Sequence, residues 1–271
     1  MQISVYNSLK INKGLSSEIE DRLVVEAPIE IVVNSEPFAM VMRTPGNDME
    51  LLRGLLFAED VYKGKDALQV ISYESENNGF SKIKLAIPAD KLGKGYLNKR
   101  SLLSVSACGI CGKKELNPPK KTDKTNKKSA FFELDKVPHL FQIMRASQHT
   151  FELTGGSHAA AIFDNSHNIL NCFEDIGRHN AVDKCIGDLL EKQQLKKGQI
   201  LLVSGRVSYE IISKAFFAKI QVLVAVSACS SLAVDYAKEF GICLIGFSRN
   251  EKATIYANPS VVTSLKQSNG N

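Results

Sequence analysis

Two stretches alternate strictly enough to predict strands. Ile29, Ile31 and Val33 fall on one side of the first, and Ile83, Leu85 and Ile87 on one side of the second. A period of two marks a strand with one face buried. Between them Leu51, Leu52, Leu55 and Leu56 form a helical stripe, with Asn47 placed to cap it and Glu50 three residues on. Residues 88–130 hold no sustained period. They carry Gly93, Gly95, Gly109, Gly112 and the Pro118–Pro119 pair, so they read as a long loop. From residue 135 strands and helices alternate. A helix near 136–149 precedes strands at His158–Phe163 and 168–173. In the next helix Ala181, Val182, Cys185, Ile186, Leu189 and Leu190 share a face, with Asp183, Lys184 and Asp188 opposite. Strands at Ile200–Val203, Val222–Val226 and Ile242–Phe247 follow, separated by helices near 208–219 and 231–240. Short connections of this kind predict right-handed parallel crossovers and a parallel sheet flanked by helices. The chain divides into a smaller β-rich part, residues 1–134, ending in the glycine-rich loop, and an α/β domain, residues 135–271.

Composition narrows the class. The 271 residues are 44% hydrophobic and 23% charged, as in an ordinary globular chain rather than a disordered one. The apolar run Ile220–Val234 has 15 residues and holds three serines, whereas a membrane span needs about 20 mostly apolar ones. The opening MQISVYNSLKINKG lacks the apolar core of a signal peptide, so the expectation is a cytoplasmic protein with no membrane attachment. A net charge of +5 suits an anionic small molecule and falls short of the clustered excess of a nucleic-acid binder. Lys113 to Lys128 holds seven lysines against Glu115 and Asp123, a solvated stretch that serves solubility or draws in an anion. Of the six cysteines only Cys108 and Cys111 lie close together. Cys172, Cys185, Cys229 and Cys243 sit in apolar surroundings as small core residues.

In an open α/β sheet, ligands bind beyond the carboxyl ends of the strands. The segments there are Glu174–Asn180, Ser204–Ser208, Ser227–Ser231 and Gly246–Lys252. Glycine, serine and arginine recur in them: backbone N–H groups at helix starts, hydroxyls and guanidinium forks suit phosphate. Ser208, Ser230 and Ser231 could equally do no more than cap helices. Neither a G-x-G-x-x-G after a strand nor a P-loop is present, and with no H-x-E paired with P-C-x-x-C a zinc deaminase site is absent, so no metal ligands are assigned. Cys108-Gly-Ile-Cys111 is open to three readings: half a zinc site, a redox pair, or a sulfur-carrying thiolate. Arg100, Lys113 and Lys114 provide the electropositive setting a thiolate needs. His158 and His179 are the histidines beside glycine-rich turns, and His179 has Asp175 and Arg178 for neighbours.

These motifs, in this order, resemble the formate dehydrogenase accessory sulfurtransferase family, FdhD. The matching stretches are Ala107–Gly112, Thr154–Ala161, Glu174–Lys184, Ser204–Glu210, Val226–Ala228 with Ser231–Val234, and Gly246–Phe247. The resemblance implies a sulfur carrier that takes sulfur from a cysteine desulfurase as a cysteine persulfide. It passes that sulfur to the molybdenum (or tungsten) bis-guanine dinucleotide cofactor before the cofactor enters formate dehydrogenase. It implies that Cys108 carries the persulfide, with Cys111 stabilising, resolving or delivering it. It maps the cofactor segment onto Phe247, Ser248, Arg249, Asn250, Glu251 and Lys252. Arg178, His179, Arg206, Ser227, Ser230 and Ser231 are the further cofactor-binding expectations. A cytidine deaminase-like α/β domain and a homodimer are implied as well. Glu251 is unfavourable beside phosphate unless it faces away or meets guanine N–H groups. Two other classes stay open: a non-catalytic cofactor chaperone with a zinc clip, and a redox-switched nucleotide-binding regulator.

Overall fold

The computed structural model describes residues 2–62, 64–97, 102–105, 131–249 and 252–263. The N-terminal part holds β1 (Ile3–Asn12), β2 (Leu15–Val24), β3 (Ala27–Val33), β4 (Glu36–Arg43), α1 (Asp48–Ala58), β5 (Gln69–Ser75), β6 (Ser81–Ala86), α2 (Lys94–Leu97) and β7 (Leu102–Val105). The C-terminal part holds β8 (Phe132–Glu133), α3 (Val137–Ala146), α4 (His149–Thr154), β9 (His158–Phe163), β10 (Ile169–Asp175), α5 (Arg178–Glu191), β11 (Ile200–Val203), α6 (Tyr209–Phe217), β12 (Val222–Ala225), α7 (Ser231–Phe240), β13 (Cys243–Arg249), β14 (Lys252–Ala257) and β15 (Val262–Thr263).

Both alternating stretches are strands. β3 and β6 lie side by side in a sheet of order β5-β6-β3-β4-β7, and Ile29, Ile31, Ile83 and Leu85 are buried against Leu51, Leu52 and Leu56 of α1. The side chain of Asn47 does not cap that helix: Asn47 adopts a left-handed conformation (φ 56°) and its amide makes no capping hydrogen bond. The start of α1 is held instead by Asp48, which accepts from Arg43 Nε and Nη2, both at 3.0 Å, and from the Tyr73 hydroxyl at 2.9 Å. Arg43 is buried and also donates to the carbonyls of Ala27 and Gly79. Strands β1 and β2 form a separate hairpin that the hydrophobic pattern did not reveal, because Val5, Leu9, Ile11 and Leu15 stay exposed.

The larger sheet has the order β10-β9-β11-β12-β13-β14. Only β11, β12 and β13 run parallel. β9, β10 and β14 pair antiparallel, which corrects the expectation of a parallel sheet. The reason is connection length: β10 follows β9, and β14 follows β13, through turns too short for a crossover. Alternate residues face opposite ways. Leu201, Val203, Leu223, Ala225 and Leu244 meet the layer of α5, α6 and α7, while Ile200, Leu202, Val222, Val224 and Ile245 meet α3 and Phe132. Among the described residues no helix is long and apolar enough to cross a membrane.

Helix α5 departs most from its pattern. Asp183, Lys184 and Asp188, expected on a solvent face, are buried. Helix α1 covers that face, crossing α5 at Gly54 and Gly187, where the helices are in backbone contact. Each buried polar group has a partner: Asp183 pairs with Lys214 Nζ at 2.6 Å, and Asp188 accepts from Asn171 Nδ2 at 2.8 Å. Helix α5 is therefore wedged between the two sheets and fixes one part of the chain to the other.

Candidate functional site

β10 and β11 point the same way across the antiparallel β9, with Asp175 opposite His158 and Val203 opposite Ala160. The carboxyl ends of β10, β11, β12 and β13 and the start of β9 therefore share one edge. All four segments singled out in the sequence meet there. Backbone bonds sew them together: Ser204 N donates to Ala159 O at 3.0 Å, Val207 N to Ala228 O at 3.0 Å, Ser230 N to Val207 O at 3.0 Å, and Phe247 N to Ser227 O at 3.0 Å. These bonds tie the loops after β11 and β12 to each other, to β9 and to Phe247.

The Glu174–Lys184 motif does two jobs. Part of it is the foundation of the edge. Asp175 and Lys184 form an ion pair at 2.8 Å with both side chains fully buried. Asp175 also accepts from Gly177 N at 2.8 Å, Asn180 Nδ2 at 2.9 Å and Thr44 N at 3.2 Å. Lys184 donates to the carbonyls of Thr44 and Glu174, and Asn180 to that of Met42. Glu174 accepts from Thr150 N and Phe151 N, each at 2.8 Å, so it holds the first turn of α4. Lys184→Met is expected to destabilise the fold by about 3 kcal/mol, because it strands the buried Asp175 charge. Urea unfolding of the two proteins checks it.

The other part is the site itself. Arg178 opens α5, and its Nε is buried with no hydrogen-bond partner. His158 lies beside it. A Cβ placed on Gly205 would come within 3.2 Å of His158 Nδ1 and 3.3 Å of Arg178 Cβ, so glycine lets the β11–α6 loop close over both. Burial pushes the His158 imidazole below its usual range, and the charges of Arg178 and Arg206 push it further, against the pull of Asp175. Arg206 is exposed at the tip of that loop. His179 is turned inward, its Nε2 2.9 Å from Ser208 Oγ and 3.3 Å from Glu210 Oε2, so it braces the start of α6 from below.

The serines divide. Ser230 Oγ accepts from Ala233 N at 3.1 Å and caps α7. Ser231 is exposed on the first turn of α7, and Ser227 is half-buried. Ser208 occupies the cap position of α6, yet its hydroxyl is spent on His179 rather than on the helix. Phe247 is 51% exposed with φ 51°, a left-handed conformation that a bulky residue adopts only under constraint. Ser248 is buried and its hydroxyl has no partner. Arg249 ends β13 and Lys252 begins β14, opposite each other in the hairpin. Asn250 and Glu251 lie outside the described residues, as do Cys108 and Cys111.

Burial pushes the Cys172 and Cys243 thiols up to about 12 and Cys229 to about 11, and holds Cys185 well above its ordinary value. None of these four forms a thiolate near neutral pH. Sequence reasoning missed Thr44, Thr150 and Ser157 as supports of the edge. They are contacts between segments far apart in the chain, which no local pattern signals.

Arginines, hydroxyls, a histidine and an exposed phenylalanine gather at one edge of a mixed α/β sheet. The chain belongs to the FdhD/NarQ family, whose model matches residues 24–263. A protein of Sulfolobus acidocaldarius named Sulfur carrier protein FdhD is 38% identical over 260 residues, covering 96% of this chain and 98% of its own length. A protein of the same name from Streptomyces avermitilis is 38% identical over 258 residues, 92% of each chain. A crystal structure from Desulfotalea psychrophila, assigned as a formate dehydrogenase accessory protein, shares the fold with a TM-score of 0.71 at 18% identity. The match covers 97% of this chain and 100% of that one.

Proposed function

We propose that this protein is a sulfur carrier for formate dehydrogenase. Support comes from full-length relatives that bear the name Sulfur carrier protein FdhD. The observation that supports the chemistry is the state of the four described cysteines, all held as thiols near neutral pH, and the resemblance to the family assigns the sulfur to Cys108 with Cys111 beside it. In this reading the Cys108 thiolate attacks the outer sulfur of a desulfurase persulfide. The desulfurase S–S bond breaks, its cysteine leaves as a thiolate, and Cys108 keeps the sulfur as a new persulfide. The acceptor is the molybdenum (or tungsten) bis-guanine dinucleotide cofactor, held as substrate at the strand-end edge. The same reading makes the protein a cytoplasmic homodimer and its six-stranded domain a deaminase-like scaffold.

Arg178, Arg206, Arg249 and Lys252 supply charge for the cofactor's phosphates, and Phe247 offers a ring on which guanine stacks. Glycine is at home at φ 51°, so Phe247→Gly is expected to leave the melting temperature unchanged or raise it. The same substitution is expected to weaken guanine-nucleotide binding about tenfold, through loss of stacking. Calorimetric titration beside a thermal melt reads both.

The direct test of the function is intact mass spectrometry after incubation with a cysteine desulfurase and cysteine. Gain of one sulfur atom, removed by a thiol reductant, is the expected result. Stoichiometric zinc with no sulfur uptake overturns it.

A further inference from the structure

The strand-end edge contains a basic cluster whose histidine no part of the sulfur chemistry uses. His158 starts β9, Arg178 starts α5 and Arg206 tips the β11–α6 loop, so three elements bring them together. Gly205 lies against the first two: a Cβ there would come 3.2 Å from His158 Nδ1 and 3.3 Å from Arg178 Cβ, closer than ordinary contact. Among the described residues neither guanidinium has a carboxylate within ion-pair distance. The neighbouring acids are spent elsewhere: Asp175 on Lys184, Asn180 and two backbone N–H groups, and Glu174 on Ser157 and the start of α4. Among the described residues, two arginines without an ion-pair carboxylate and a buried donor atom with no hydrogen-bond partner, Arg178 Nε, meet at this corner.

We infer that His158, Arg178 and Arg206 form one seat for the diphosphate bridge of the dinucleotide, and that His158 takes up a proton as the diphosphate binds. The inference rests on the cofactor reading above and deepens it. Without the ligand, the burial of the imidazole and the two guanidiniums favour its neutral form, opposed by Asp175 alone. A diphosphate brings two negative charges to the same place. It cancels the arginines' repulsion and accepts a hydrogen bond from the charged ring, so the bound-state pKa rises. Affinity must then increase as the pH falls through the window between the bound and free values. His158 is a positioning residue here: it couples the seat to pH.

The test uses the full-length protein and diguanosine diphosphate, whose bridging phosphates do not titrate in this range. Calorimetry near pH 6 and near pH 8, in buffers of different ionisation enthalpy, counts the protons. Proton uptake and roughly tenfold tighter binding near pH 6 are expected. His158→Gln keeps a hydrogen-bonding side chain but cannot charge. It is expected to abolish both the proton uptake and the gain in affinity near pH 6. Arg206→Gln, an exposed change, is expected to weaken binding at both pH values. Binding without proton uptake, or a His158→Gln protein with the pH dependence intact, overturns the seat and leaves the cofactor reading standing. No binding of the dinucleotide at any pH overturns that reading, and the seat with it.

Discussion

Cys108→Ala is expected to abolish sulfur loading altogether, and with it the maturation of formate dehydrogenase. A persulfide needs a thiolate to form, and the four described cysteines, Cys185 and Cys243 buried and Cys172 and Cys229 half-buried, are held in the protonated state near neutral pH. No described side chain can substitute, because a hydroxyl or an imidazole does not accept a sulfane sulfur in this chemistry. The measurement is the intact mass of the variant after incubation with desulfurase and cysteine, beside formate dehydrogenase activity in cells making it. A Cys108→Ala protein that still gains the mass of one sulfur atom refutes the assignment. Cys111→Ala separates the roles of the pair: retained loading with lost maturation makes Cys111 the group that delivers the sulfur, and lost loading makes it part of the acceptor.

Gly54→Ala or Gly187→Ala is expected to cost about 4 kcal/mol, with larger side chains at either position preventing folding. A Cβ at Gly54 would lie 2.6 Å from the Asp183 carbonyl carbon and closer still to its oxygen. A Cβ at Gly187 would lie 2.8 Å from both the Glu50 carbonyl carbon and Gly54 N. In each case the obstacle is the backbone of the other helix, so no side chain can swing away. The helices would have to separate. That would open the burial of Asp183, Lys184 and Asp188 and break the contact between the two sheets. Denaturant unfolding of the single alanine variants measures the effect. A loss under about 1 kcal/mol in either would show that the helices do not need this approach.

The hidden role of those glycines shows the limit of local pattern. A glycine inside a helical stripe carries no sign that another helix will press against it. The same blindness placed Asp183, Lys184 and Asp188 on a solvent face: a helix with one apolar side reads as surface until a second layer covers the other. It also left β9 and β10 to be taken with a parallel sheet, since a buried strand carries the same apolar run whichever way its neighbour points.

The sequence by itself determined β9 to β13, the helices α5, α6 and α7, and the apolar surroundings of Cys172, Cys185, Cys229 and Cys243. Each of these is written in short-range spacing, where neighbouring residues dictate periodicity and turns. Only the tertiary structure decided that Asp175, Asn180 and Lys184 are the foundation of the site rather than its lining. It alone joined His158 to Arg178 and Arg206, and it turned Phe247 outward under backbone strain. Those facts depend on which distant segments meet, and burial and electrostatic coupling exist only after the chain has brought them together.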